Sequence, residues 1–361
     1  MSTPSKPMRL DQNDLYTPQV EAYLEQQDMI RRAMPEMDRP PLVLRILYSS
    51  YFYLALTSGL GAFVAWLILE PFFDDNDMGN KEHIWINLLM FPTVVGFVGL
   101  FLGASEGIMC RNLRRAVISA AVGLGVGFGG GLVSLIGATI VFTLMNVAAA
   151  ALMKGPPPPG RMPTGLPLLI FIMGRASAWA FAAIPAGLGQ GIALRERKVL
   201  LNGLLGAVLG GLIGGLLFDP IAMVFTGADG QANISRGVGF TFIGIMVGLL
   251  VGVVEQWTKT AWLLMQAGPL AGKQFVLHRN PTVLGSSPKA DIYLFKDEAI
   301  EPRHALIHNR GGRYEIEDLG TPDGTYVNGL PVHKQILQQG DKIVLGKTVL
   351  EFSLRETTRE V

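Results

Sequence analysis

The stretch VLLNGLLGAVLGGLIGGLLFDPIAMVF, residues 199–225, carries a single ionisable side chain, Asp219, and one asparagine, Asn202, in a run otherwise made of apolar residues and glycine. A helix needs about 20 mostly apolar residues to cross the hydrocarbon core of a bilayer, and this stretch supplies them. Working outward from it, comparable segments lie near 47–70, 84–105, 116–149, 166–190 and 237–258. Two or three such segments would fit the buried helices of a soluble protein. Six in succession predict a polytopic α-helical membrane bundle over residues 46–264. The third segment is long for one crossing, so tilt or projection beyond the bilayer is expected.

The totals agree with that expectation. Charged residues make up 16% of the 361-residue chain and glycine occurs 44 times, against a charged fraction of about a quarter in ordinary globular proteins. Mean hydropathy is +0.36. The formal net charge of +1 gives no electrostatic footprint for a nucleic-acid partner. One cysteine, Cys110, excludes an intrachain disulfide and a cysteine-rich metal site.

Lysine and arginine in the connections set the expected orientation. Arg31, Arg32, Arg39 and Arg45 precede the first segment. Arg111, Arg114 and Arg115 join the second to the third, and Arg195, Arg197 and Lys198 join the fourth to the fifth. The alternate connections are acidic or less basic: Asp74-Asp75-Asn76-Asp77 with Lys81, the proline run Pro156–Pro159 with Lys154 and Arg161, and the last with Arg236. This places both termini in the cytoplasm, with the chain in the cell membrane and its lipids as partners. The tail 1–45 is polar, so the first apolar helix is expected to act as an uncleaved insertion signal. Tyr16–Met34 could form an amphipathic helix, ended by Arg39-Pro40-Pro41.

The apolar region repeats itself. Setting Glu106-Gly107-Ile108 on Gln190-Gly191-Ile192 brings Arg111 onto Arg195 and Arg114 onto Lys198. The same setting brings Gly127 onto Gly211, Gly130 onto Gly214 and Gly131 onto Gly215. A third partial copy, Gly252-x-x-Glu255, echoes Gly103-x-x-Glu106 and Gly187-x-x-Gln190. The unit is a helical hairpin with a basic turn. Glycines every four residues, Gly123/Gly127/Gly131 and Gly206/Gly210/Gly214, predict close helix crossings. Packing within one chain and a homo- or hetero-oligomer interface are both open at this point. Ionisable groups inside the apolar segments are costly and raise a functional hypothesis. Arg175 and Asp219 could pair, or Arg175 could snorkel. Glu106, Gln190 and Glu255 lie near equivalent helix ends, where capping, pairing with the nearby arginines, or lining a path are the readings.

After Leu264 the pattern changes to short alternating strands separated by Gly, Pro, Asn and Asp turns. Many short strands at this spacing predict an all-β sandwich over 265–361. Four motifs stand in it: Leu284-Gly285 followed by Ala290-Asp291-Ile292; Arg303-His304-Ala305; Asp318-Leu319-Gly320-Thr321-Pro322-Asp323-Gly324-Thr325-Tyr326-Val327-Asn328-Gly329; and Gly340-Asp341-Lys342-Ile343 before Leu345-Gly346. Together they resemble the forkhead-associated (FHA) family over about residues 268–354. The membrane region shows no family resemblance of its own.

The resemblance implies a sandwich that binds phosphothreonine peptides through loops at one end. The position of the family's phosphate-binding arginine is Ser286 here, that of its phosphate-contacting serine is Glu301, and that of its peptide-holding asparagine is Asp323. Gly285, His304, Gly324, Thr325 and Asn328 are retained, and Arg303 is nearby but falls on a position that in the family is usually not a phosphate ligand. A phosphate seeks arginine donors, and two of the three altered positions carry carboxylates. The expected function is a membrane-anchored interaction or signalling protein whose FHA domain holds a protein partner independently of phosphothreonine. The alternative is a transporter or channel-like subunit with a regulatory FHA domain. Serine-histidine-aspartate patterns, metal-ligand spacing and phosphate loops are not found in the sequence, so neither an enzyme nor a cofactor or metal is expected.

Overall fold

The computed structural model describes residues 42–72, 84–153, 155, 163–225 and 233–355. The expected tail and amphipathic helix, the Asp74–Asp77 connection and the Pro156–Pro159 run lie outside these residues. The described residues form two compact units, a helical one of Arg45–Thr260 with Val276–Arg279, and a β one of 42–44, Ala261–Phe275 and 280–355.

The helical unit has six long helices: α1 Ser50–Leu69, α2 Ile84–Met109, α3 Leu113–Ala151, α4 Leu166–Leu194, α5 Arg197–Phe225 and α6 Asn233–Thr258. A short helix, Leu42–Leu47, precedes them, and a 3-10 turn, Glu70–Phe72, extends α1. All six are long and apolar enough to cross a membrane. They run beyond the expected bounds at several ends, because helical bonding continues into the polar turns. The amide of Asn112 donates to Gly107 O at 2.8 Å and that of Glu196 to Gly191 O at 3.1 Å. Helix α3, at 39 residues, is about 58 Å long at 1.5 Å per residue.

The sequence repeat is also a repeat of contacts. A Cβ on Gly103 would overlap the Ser119 carbonyl, and one on Gly187 would overlap that of Gly203, the position 84 residues further on. Gly127 closes on Val95 and Gly96 as Gly211 closes on Trp179 and Ala180, and Gly131 meets Pro92 as Gly215 meets Ala176. The third copy has no connecting turn. Its two arms are α6 and α1, at opposite ends of the apolar sequence, where Gly244, Gly248 and Gly252 close on Ser58, Leu54 and Ser50. The bundle is therefore three similar hairpins in which α2, α4 and α6 each touch both of the others. The candidate glycines Gly127 and Gly131 pack on α2, and Gly210 and Gly214 pack on Val247 and Ile243 of α6. Their faces are taken up inside one chain.

The β unit is a two-sheet sandwich. One sheet has the order β2 (Gln274–Val276), β1 (Ala261–Ala267), β11 (Thr348–Leu354), β10 (Lys342–Leu345), β7 (Thr325–Val327), β8 (Leu330–Val332). The other has the order β4 (Ile292–Tyr293), β3 (Thr282–Gly285), β5 (Ala305–Arg310), β6 (Arg313–Asp318), β9 (Lys334–Ile336). Strand β1 corrects the expected boundary of 264/265. Its apolar run looks continuous with the preceding helix in sequence, yet Ala261, Leu263 and Met265 point into the core while Leu264 pairs opposite Glu351 of β11. Leu263, Leu284, Leu294, Ile307, Ile316, Ile343, Leu350 and Phe352 are fully buried between the sheets.

Candidate functional site

Three connections build one end of the sandwich: β3–β4 (286–291), β4–β5 (294–304) and β6–β7 (319–324). Gly285 ends β3 where a Cβ would overlap the Pro302 carbonyl, so only glycine lets the two loops approach. The Ser286 amide then donates to Glu301 O at 2.9 Å, and the His304 amide donates to Leu284 O at 2.9 Å. Ser286 and Glu301, distant in sequence, are thus neighbours on the loop face.

His304 is fully buried and ties the loops together. Its Nδ1 accepts from the Glu301 amide at 3.2 Å, so Nδ1 is bare and the ring proton sits on Nε2. That Nε2–H faces Gly324 O at 3.1 Å and Thr321 Oγ1 at 3.1 Å. Both ring nitrogens are committed to backbone and hydroxyl partners, which makes His304 a brace rather than a base.

Beneath His304 lies a residue that the sequence reading passed over as part of a motif, Asp318. Its Oδ1 accepts from Thr321 Oγ1 at 2.8 Å and Thr325 Oγ1 at 2.7 Å. Its Oδ2 accepts from the amides of Gly320 at 2.8 Å and Thr321 at 3.0 Å. Burial pushes the carboxyl up, but the hydrogen bonds from Thr325 and Thr321 and the two amides outweigh it and hold Asp318 below its ordinary range. A short acidic residue at the strand end before Gly-Thr was the available signal, since Asp in that place caps a turn through its own side chain. The loop 319–324 is therefore rigidly held, and Gly324 adopts the left-handed region at φ +66°.

On the outer side the chemistry is different. Glu301, Arg303 and Asp323 are exposed and Ser286 is half-buried. Asn328 does not join this face. Its Nδ2 donates to Asp341 Oδ1 at 2.8 Å and its Oδ1 accepts from the Lys342 amide at 2.9 Å, locking the β7–β8 turn to β10. Thr325 is buried under the loops through its bond to Asp318.

Residues 282–346 match the family model described as FHA domain. The C-terminal domain is an FHA domain. Its relatives include an oxoglutarate dehydrogenase inhibitor of Corynebacterium jeikeium, 40% identical over 93 residues, which are 26% of this chain and 64% of that protein. The glycogen accumulation regulator GarA of Mycolicibacterium smegmatis is 37% identical over 105 residues, 29% of this chain and 66% of that one. The chain thus spans slightly less than two thirds of these relatives' length. Among solved structures, the FHA domain of a Chlamydia trachomatis protein is 29% identical, with 27% of this chain and all of that one covered at a TM-score of 0.26. The FHA domain makes this a protein of interaction or signalling.

In the helical unit, Arg175 Nη1 meets Asp219 Oδ1 at 2.8 Å. The carboxylate is fully buried, and the guanidinium lies 4.9 Å from the centre of the Phe171 ring, with Phe142 and Phe218 at 5.8 and 5.6 Å. Such stacking favours a cation in a dry setting. A second pair, Arg236 with Glu70, joins α6 to the end of α1, so Arg236 is more than the loop charge its sequence position suggests. Glu106 Oε1 pairs with Arg115 at 3.2 Å, and its Oε2 accepts from Gln190 Nε2 at 3.3 Å. The equivalent positions on α2 and α4, Glu106 and Gln190, therefore meet, while Glu255 of α6 lies 3.9 Å from His278 Nε2.

Proposed function

We propose that the chain is a membrane-anchored interaction protein whose FHA domain holds a protein partner at the cytoplasmic face without requiring phosphothreonine. The observation that carries this is the loop face itself. Its supporting frame of Gly285, His304, Asp318 and Gly324 is intact, while its outer face offers the half-buried Ser286 and the exposed Glu301 and Asp323. A phosphate bearing about −1.5 to −2 charges is repelled by carboxylates and finds no guanidinium at residue 286. Relatives named as an inhibitor and as a regulator support a role in regulatory contact, with no catalysis or cofactor of its own. Six apolar helices and basic connections that alternate along the chain support spanning of the cell membrane with both termini inside.

The test is a calorimetric titration of the detergent-purified full chain with a phosphothreonine peptide library. The expected outcome is no measurable binding, and micromolar binding after Ser286→Arg, Glu301→Ser and Asp323→Asn. Charge-assisted hydrogen bonds contribute about 1.5–3 kcal/mol each, enough to bring the triple variant into range. Tight wild-type binding that vanishes on dephosphorylating the peptide overturns the phosphate-independent reading. A second reading, passage of a solute or ion through the helical unit with the FHA domain as its regulator, rests on the meeting of Glu106 and Gln190 between α2 and α4; flux in reconstituted vesicles tests it.

A further inference from the structure

We propose that the two basic hairpin turns of the helical unit each hold the headgroup of an anionic phospholipid. The inference rests on the membrane-spanning reading above. Its starting point is a backbone oddity that occurs twice. Arg111 and Arg195 end α2 and α4 in the left-handed region, at φ 51° and 56°. Their amides donate back to Ile108 O at 3.0 Å and Ile192 O at 3.2 Å, and the next amides donate to Gly107 O and Gly191 O. Glycine is the residue that adopts this conformation without strain at a helix C-terminus, whereas an L side chain is disfavoured there. Both copies of the repeat nonetheless carry arginine. A strained residue kept in place points to a use for its side chain.

The surroundings say what that use is. Arg111 and Arg114 in the first turn, and Arg195, Arg197 and Lys198 in the second, are exposed. Directly beside them stand exposed apolar residues: Ile108, Leu113 and Val117 at the first turn, and Ile192 and Leu201 at the second. Each turn thus offers guanidinium forks above an apolar shoulder. That arrangement matches a phosphodiester joined to acyl chains: the fork takes the phosphate bidentately and the shoulder takes the chain. A soluble phosphate would gain nothing from the apolar part. The turns differ in their charges: the second has Arg197 where the first has Leu113, and its Glu196, in place of Asn112, is paired with Arg279 at 3.1 Å.

Native mass spectrometry of the full chain, released from nanodiscs of phosphatidylcholine and phosphatidylglycerol in equal parts, reads the outcome. The wild type should retain two phosphatidylglycerol molecules, at about fivefold preference over phosphatidylcholine, since one basic group near an anionic surface is worth about that factor. Raised salt should reduce the preference. Arg111→Gln with Arg114→Gln should remove one bound lipid, and Arg195→Gln with Lys198→Gln the other. Equal retention of both lipids by the wild type overturns the proposal whether or not the variants fold, and so does displacement by millimolar glycerol phosphate. A chain that never enters the nanodiscs removes the membrane reading and this inference together.

Discussion

In the helical unit the helices cross backbone against backbone, whereas the core of the FHA sandwich is filled by large side chains. Gly103, Gly187 and Gly248 bring one helix against the carbonyls of the next, and many large apolar side chains of the same helices, such as Val133, Ile136 and Leu144 on α3, face outward. The sandwich does the reverse, closing Leu284, Ile316 and Phe352 between its sheets. The difference teaches which force each unit relies on. A water-solvated sandwich is driven by removing apolar area from water. Helices with apolar exteriors gain little that way, and hold together by close approach and dispersion.

Adding atoms should therefore harm the first unit most, and deleting them the second. Gly187→Leu forces a side chain into the Gly203 carbonyl and Ala207. It should cost about 3 kcal/mol or more, seen as loss of the folded, monodisperse species in detergent. Leu284→Ala leaves a cavity between the sheets at a fully buried site, at a cost of about 2–5 kcal/mol. A denaturant titration following the β signal measures it, and a Leu284→Ala domain as stable as wild type would break the contrast.

The loop frame sharpens the comparison through pH. Asp318→Asn places an NH2 group where two of four donors now point, at a cost of about 1–3 kcal/mol. Because the folded carboxyl titrates below its ordinary value of 3.8, its stabilisation is present above that value. It is lost as pH falls through the depressed pKa. Stability measured against pH should lose this acid limb in the Asn variant, and an unchanged profile would remove Asp318 from the frame. The smallest effect is expected at Gly125, where a Cβ meets nothing within 4 Å. Gly125→Leu should leave stability within about 0.5 kcal/mol, and a large loss there would mean that glycine acts in this unit by something other than close approach.

Length and hydropathy determined six helices, because an apolar run long enough for a crossing is a local property. Motif order likewise determined the FHA sandwich, and the hairpin repeat was legible from Glu106 against Gln190 and Arg111 against Arg195. Other features required the folded chain. That α6 and α1 form the third hairpin is invisible to a search along the sequence, since its two arms lie at opposite ends of the apolar region. The first strand was hidden because Ala261–Met265 continues the apolar character of α6, and only pairing with β11 gives it an inside and an outside. Arg175–Asp219 remained one of two possibilities until the crossing of α4 and α5 set their distance. At the loop face, sequence determined which residue types stand at 286, 301 and 323. Tertiary structure decided that Ser286 and Glu301 are neighbours, that Asn328 serves another turn, and that Asp318 carries the frame. The physical reason is common to all of these: residue type sets what a group can bond to, but a hydrogen bond or ion pair exists only within about 3–4 Å, and chain topology alone brings distant residues that close.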